Sequence, residues 1–200
     1  MEYVSNRIVS RMISADLISE EEAKAYSYGI QFLLEKIISY VIIFVLAIVI
    51  NRLIEILIFI VSFSLLRKYS GGIHCSRFGT CLVASTLVSL SGPVIFVLAD
   101  RFYPIYQGGG IMSIIIVIII GSINNPNIDW SAYEYKRAKI RARLIISLEV
   151  SVLSLLLVLH IPNNIRFYIS YGIVVCAISM LLEIRKKGGV AYEEGGETAS

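Results

Sequence analysis

Long apolar runs separated by short polar joints dominate this chain. Six runs reach, or nearly reach, the roughly 20 helical residues that a hydrocarbon core requires: 32–50, 53–66, 81–99, 105–123, 144–161 and 167–182. The second is short, and Gly92-Pro93 predicts a kink in the third. Ahead of them Tyr3, Val4, Ile8, Met12 and Leu17 recur at helical spacing opposite Arg7 and Arg11. Residues 1–18 are therefore expected to form an amphipathic helix, lying on a membrane surface or packed against protein. Ser19, with Glu22 three residues on, reads as a capping box that opens the next helix. Beyond residue 187 the sequence turns polar and rich in Gly and Glu, so a mobile tail is expected over 188–200. The fold class that follows is an all-α integral membrane protein with six transmembrane helices, one polytopic domain over 1–187.

Composition agrees with the pattern. Of 200 residues, 56% are apolar or aromatic and 16% charged, against about 45–50% and 25% in soluble domains. A chain this short cannot hide that surplus from water. A disordered chain, a disulfide scaffold and an ordinary soluble enzyme are excluded, and a net charge of +3 is too small to argue for nucleic acid. The charges are informative by position. No secretory leader pattern opens the chain, so the N-terminus is expected to be cytoplasmic. On that basis fifteen basic residues fall inside, from Arg7 to the Lys136–Arg143 stretch and Lys187, and only Arg52, Arg101 and Arg166 fall outside. That is a strong positive-inside bias, and it places both termini in the cytoplasm.

One stretch carries residues that a bundle does not need. Between the second and third runs, Arg67-Lys68-Tyr69-Ser70-Gly71-Gly72-Ile73-His74-Cys75-Ser76-Arg77-Phe78-Gly79-Thr80-Cys81 holds one of two histidines and two of three cysteines. A thiol becomes a nucleophile as thiolate, a form favoured by a neighbouring imidazole or by cations. On one straight helix, however, His74 and Cys81 would be separated by about 10.5 Å along the axis. A Cys–His pair needs hydrogen-bond contact, so the segment must fold back, and Gly71, Gly72 and Gly79 are the residues that permit this. An irregular or re-entrant segment between spans two and three is expected, which a membrane protein tolerates where protein or a wet cavity satisfies the backbone.

The pattern Arg67, Gly71-Gly72, His74 and Cys81 resembles the accessory gene regulator protein B (AgrB) family, bacterial membrane cysteine endopeptidases of quorum sensing. Tyr28-Gly29, and Asn125-Pro126-Asn127 ahead of the basic stretch, are similar too, so the likeness covers most of the chain. The resemblance implies a peptidase of the bacterial cell membrane that removes the C-terminal tail of a short, AgrD-like precursor peptide. Cys81 would attack with His74 as base, and the thioester would close to a thiolactone or lactone autoinducing peptide. It implies no cofactor, metal or nucleic acid, a homodimer among membrane lipid, an active site at the cytoplasmic face, and supporting parts for Arg67, Gly71 and Gly72. Many members carry Glu after the Tyr-Gly-apolar triplet, where this chain has Gln31, with Glu35 one turn later on the same face. If an acid or amide orients the imidazole, Gln31 or Glu35 must serve.

Other readings of the same residues stay open. Arg67 and Lys68 can simply anchor a helix at lipid headgroups, and Cys75 and Cys176 suit packing. A small transporter or scaffold without catalysis would use Glu55 and Glu149, ionisable groups inside spans, as a polar pathway. A metal site of His74, Cys75 and Cys81 lacks the fourth ligand that structural zinc takes.

Overall fold

The computed structural model describes residues 2–73, 78–124 and 131–186. His74, Cys75, the Asn125-Pro126-Asn127 stretch and the 188–200 tail thus lie outside the described residues. Among the described residues there are seven helices and no strand: α1 (Glu2–Ser14), α2 (Ala23–Val49), α3 (Leu53–Ser70), α4 (Phe78–Arg101), α5 (Tyr103–Ile120), α6 (Ala132–Val158) and α7 (Asn163–Lys186). The described residues are therefore all-helical. Three of these helices are long and apolar enough to cross a membrane, over Ala23–Val49, Phe78–Ala99 and Asn163–Lys186, and a shorter apolar stretch runs over Ile105–Ile120. The others stop short for visible reasons. Glu55, Arg67 and Lys68 charge both ends of α3, and five basic residues from Lys136 to Arg143 occupy the first half of α6.

The chain divides into two compact units. Unit one comprises 1–51 and 75–90, and unit two comprises 52–74 and 91–200, so that α4 contributes to both.

In unit one α1 packs on α2 through small and polar residues. Ser5 and Val9 are buried, the Ser5 and Ser27 hydroxyls lie 3.2 Å apart, and Ser27 Oγ donates to Asn6 Oδ1. The apolar stripe of α1 is not used for this, since Tyr3, Val4 and Ile8 stay exposed. The capping box expected at Ser19 does not open a helix. Ser19 N–H and Oγ both donate to the Glu22 carboxylate, at 3.0 and 2.8 Å, but its hydroxyl receives no amide, and α2 begins at Ala23 without a side-chain cap. At the other end Asn51, at φ +55°, turns the chain out of α2, a left-handed conformation that Asn adopts more readily than most residues.

Unit two is built around α7. Eleven of its residues are buried, from Phe167 to Glu183, and its Ile173, Cys176, Ala177 and Met180 form one core with Leu66 of α3, Val117 of α5 and Ile146 of α6. Two glycines set the closest approaches. A Cβ on Gly172 would lie 2.8 Å from Ser62 Oγ and 3.1 Å from the Phe63 nitrogen, and one on Gly92 would lie 2.8 Å from the Tyr168 ring. Gly92 thus admits the tyrosine to α4, which runs on through Pro93. A capping box does occur at the start of α6: Ser131 Oγ accepts from Glu134 N–H at 3.3 Å, while the Glu134 carboxylate accepts the Ser131 N–H at 3.0 Å. These two bonds satisfy amides that a helix start otherwise leaves open, and the Ser131 hydroxyl, which also donates to the Glu134 carboxylate at 2.8 Å, together with the Ser131 N–H holds that carboxyl below its ordinary range.

Candidate active site

Helix α3 ends at Ser70, and Gly71 takes φ +70° and ψ −150°, a combination essentially confined to glycine. Gly72 follows at φ +118°. Close approach restricts both positions as well. A methyl on Gly71 would overlap the carbonyl oxygen of Ile123, and one on Gly72 would overlap the Arg67 guanidinium. The need for two glycines in a row is therefore physical. Each sits in a backbone region that a side chain resists, and each has a neighbour where a side chain would go.

Arg67 lies in the last turn of α3 and reaches over this bend. Its Nη1 donates to the Gly71 carbonyl and to Ser179 Oγ at 3.0 Å, and its Nη2 donates to the Ile73 carbonyl. A planar guanidinium has fixed, forked donors, so two carbonyls on either side of Gly72 are held by one rigid group. Ser179, on α7, completes the hold with its backbone: the Ile73 N–H donates to the Ser179 carbonyl at 3.2 Å. On the other side the Ile123 N–H donates to the Ser70 carbonyl at 2.9 Å, and Ser122 Oγ donates to the Tyr69 carbonyl at 2.7 Å. The end of α3 and the bend after it are thus fastened by backbone bonds to the α5–α6 connection on one face and to α7 on the other.

The fastening has a second layer. Gly121, at φ +72°, ends α5, and Arg143 of α6 donates to the exposed carbonyls of Ile118 and Ile119, at 3.0 and 3.4 Å. Lone carbonyls at a helix C-terminus favour such a cation. The Tyr135 hydroxyl donates to the Ser122 carbonyl at 3.0 Å. Burial pushes that phenol up, with Arg143 opposing, so it remains a donor. Below the bend Ser70 Oγ lies 3.0 Å from the buried Cys176 thiol.

The remaining sequence-derived residues are placed as follows. Cys81 is an exposed thiol in the first turns of α4, within unit one. Gln31 and Glu35, also in unit one, meet each other: Gln31 Nε2 donates to Glu35 Oε1 at 3.0 Å. Gly79 lies inside α4 with no close neighbour, so it makes no part of the bend that its sequence position predicts; the first turn of α4 takes it up as a helical residue. His74 follows directly on Ile73 in sequence and lies outside the described residues. Ser179, Ser122 and Ile123 escaped sequence reasoning. A small polar residue inside an apolar span is the signal Ser179 offers, whereas Ile123 acts through its backbone and offers none.

Two carboxylates within the apolar stretches each meet a polar side chain. Glu55 pairs with Arg52 at 3.0 Å, and Glu149 accepts from Ser62 Oγ at 3.0 Å. Among the described residues no three His, Cys, Asp or Glu side chains gather as a metal site would require.

Comparison with known proteins bears on the sequence. The family model for accessory gene regulator B matches residues 5–182. An AgrB-like protein of Clostridium perfringens (strain SM101 / Type A) is 30% identical over 86 residues, covering 42% of this chain and 40% of that protein. AgrB-like protein 2 of Clostridium perfringens (strain 13 / Type A) is 29% identical over 86 residues, with the same shares. The chain spans about two fifths of the length of these curated relatives. No solved structure matches. With nearly its whole length matched by the family model, this all-helical chain with membrane-length helices belongs to the accessory gene regulator B family.

Proposed function

We propose that the protein is a membrane cysteine endopeptidase that matures a short precursor peptide, with Cys81 as nucleophile and His74 as general base. The Cys81 thiolate attacks the scissile carbonyl after its proton passes to His74. The C–N bond breaks, the leaving amine takes the proton from the imidazolium, and a thioester remains on Cys81. A Cys or Ser inside the bound peptide then gives its proton to His74 and attacks the thioester. The ring closes as thiolactone or lactone, and Cys81 leaves as thiol. In this reading the substrate is an AgrD-like peptide, the chain makes six spans with both termini cytoplasmic, the segment between spans two and three is re-entrant, and a homodimer in the bacterial cell membrane is the working form. Gln31 or Glu35 serves the imidazole as the orienting group.

The observation that carries the reading is the clamp on Gly71–Ile73. A guanidinium, a serine hydroxyl and two backbone bonds to neighbouring segments hold Ser70–Ile73, the residues leading into His74, and a general base must be held within hydrogen-bond reach of its nucleophile. An exposed thiol near the start of α4 supports it, because the open amides of a helix start favour negative charge on a nucleophile or oxyanion. The test is cleavage of a candidate precursor by the purified protein in lipid vesicles, followed by mass spectrometry. The expected products are a free C-terminal tail and an N-terminal fragment lighter than the linear acid by one water. Cys81→Ala and His74→Ala should each abolish both, and full cleavage by Cys81→Ala would end the peptidase assignment.

A further inference from the structure

The clamp occupies one end of unit two, where α3, α5 and α7 finish. At the opposite end is a cavity of about 330 Å3 among α5, α6 and α7, with the last turns of α4 against it. That is within the size range of small-ligand sites, and the cavity is partly open at the surface of unit two. Away from the helix ends its walls are apolar, formed by Ile114, Val150, Leu153 and Ile173. Nearer the ends the described lining residues include one cation, Arg166 in the first turn of α7, and no carboxylate. Arg166 Nη2 donates to Asn163 Oδ1, and its Nε–H is buried with no hydrogen-bond partner among the described residues. Helices α5 and α7 both begin at this end, and their first-turn amides also favour an anion.

An apolar slot with a guanidinium at its mouth fits an amphiphile with an aliphatic chain and an anionic head. For a chain in a bilayer, the amphiphile always at hand is a phospholipid. No described lining residue offers a carboxylate to the ammonium of a zwitterionic head. We propose that this cavity is a binding site for an anionic phospholipid, one acyl chain filling it and the phosphate accepting from Arg166. The assignment is independent of the peptidase reading.

The test uses the full chain in detergent with phosphatidylglycerol or phosphatidylcholine added, counting retained lipid by native mass spectrometry and following the melting temperature. Wild type should keep one phosphatidylglycerol under conditions that strip phosphatidylcholine, and should be stabilised more by the former. Arg166→Gln should weaken phosphatidylglycerol binding about ten- to a hundredfold, the worth of a charge-assisted bond. Gly110→Leu is the second variant. Gly110 lines the cavity, and a Cβ there meets nothing within 4 Å, so a side chain there starts into open space, and leucine suits the helix better than glycine. It should abolish retention of the lipid at unchanged helical content. Equal retention of both lipids by wild type overturns the proposal, as does phosphatidylglycerol preference that survives either variant. A wild-type dimer that keeps no lipid and that Gly110→Leu dissociates would give the cavity to a second copy, and overturns it too.

Discussion

Gly71→Ala puts the clamp to a quantitative test. Gly71 at φ +70° and ψ −150° occupies a region that costs other residues about 1–3 kcal/mol. The new methyl would also overlap the Ile123 carbonyl oxygen, a backbone atom that cannot rotate aside. If Ile123 recedes, its N–H bond to the Ser70 carbonyl, 2.9 Å long, is given up, at about 0.5–1.5 kcal/mol. The bend is then disfavoured by about 1.5–4.5 kcal/mol, or roughly ten- to 1,600-fold in population. The loss should stay local, because Leu66 and Met180 still pack α3 on α7. Hydrogen exchange read by mass spectrometry reports it without any substrate. The Ile73 and Ile123 amides, bonded to the Ser179 and Ser70 carbonyls, should exchange faster by about that factor, while those in the middle of α7 should not change. Gly79→Ala is the control: helical and with open space around its Cβ, it should gain about 0.5–1 kcal/mol and leave both amides alone. Unchanged exchange at Ile73 and Ile123 in Gly71→Ala would refute the bend geometry and the account of the glycine pair together.

Arg67→Lys keeps the charge but loses the fork that spans two carbonyls; losing one charged bond should cost about 1.5–3 kcal/mol, seen as faster exchange at Ile73. Ser131→Ala should cost about 1 kcal/mol and lower the melting temperature, whereas Ser19→Ala should be nearly neutral, because the Ser19 hydroxyl donates to Glu22 and caps no amide. The Ser131 bonds hold the Glu134 carboxyl below its ordinary range, so the capping box is intact above that range and is lost as pH falls through the lowered titration. A pH titration of the Ser131 and Glu134 amide shifts should have its midpoint below the ordinary carboxylate value, and a midpoint at or above it would contradict the cap. Gly172→Ala crowds Ser62 Oγ and the Phe63 nitrogen and should destabilise by about 1–3 kcal/mol, measurable by denaturation in detergent.

Apolar runs locate helices well but mark their ends poorly. The start of α3 at Leu53 agrees with the sequence reading because Asn51 and Arg52 interrupt two apolar runs there. By contrast α2 begins at Ala23 rather than near residue 32, and α6 at Ala132 rather than at 144. Lys24, Gln31 and the Lys136–Arg143 stretch are good helix formers that hydropathy discounts. The two Ser-x-x-Glu patterns show a further limit. Ser131 and Ser19 have the same spacing, and only the backbone geometry decides that the first hydroxyl accepts an amide and the second does not. Apolarity alone also ranks α2 above α7, yet α7 is the helix that unit two buries. Total hydrophobicity does not say which helix sits among the others. Small residues do so better, and Gly172, Ala177 and Ser179 are what let neighbours approach.

Arg67 illustrates why the site was only half legible. A lone arginine at a helix end beside a lysine reads equally well as a headgroup anchor, and Lys68, exposed on the same turn, still fits that description. What separates the two cations is where the chain goes next. Gly71 and Gly72 turn the backbone so that the carbonyls of Gly71 and Ile73 face back toward α3, and the guanidinium lies across both. The dependence runs both ways: a methyl on Gly72 would displace the guanidinium, and without the guanidinium those carbonyls lose their shared donor. Arg67 and the glycine pair are therefore one structural device, whose third member, Ser179, lies 112 residues along the chain. Local sequence could reveal the first two and could not reveal the third, because the hydroxyl and carbonyl that Ser179 supplies meet the bend only after α7 has packed against α3.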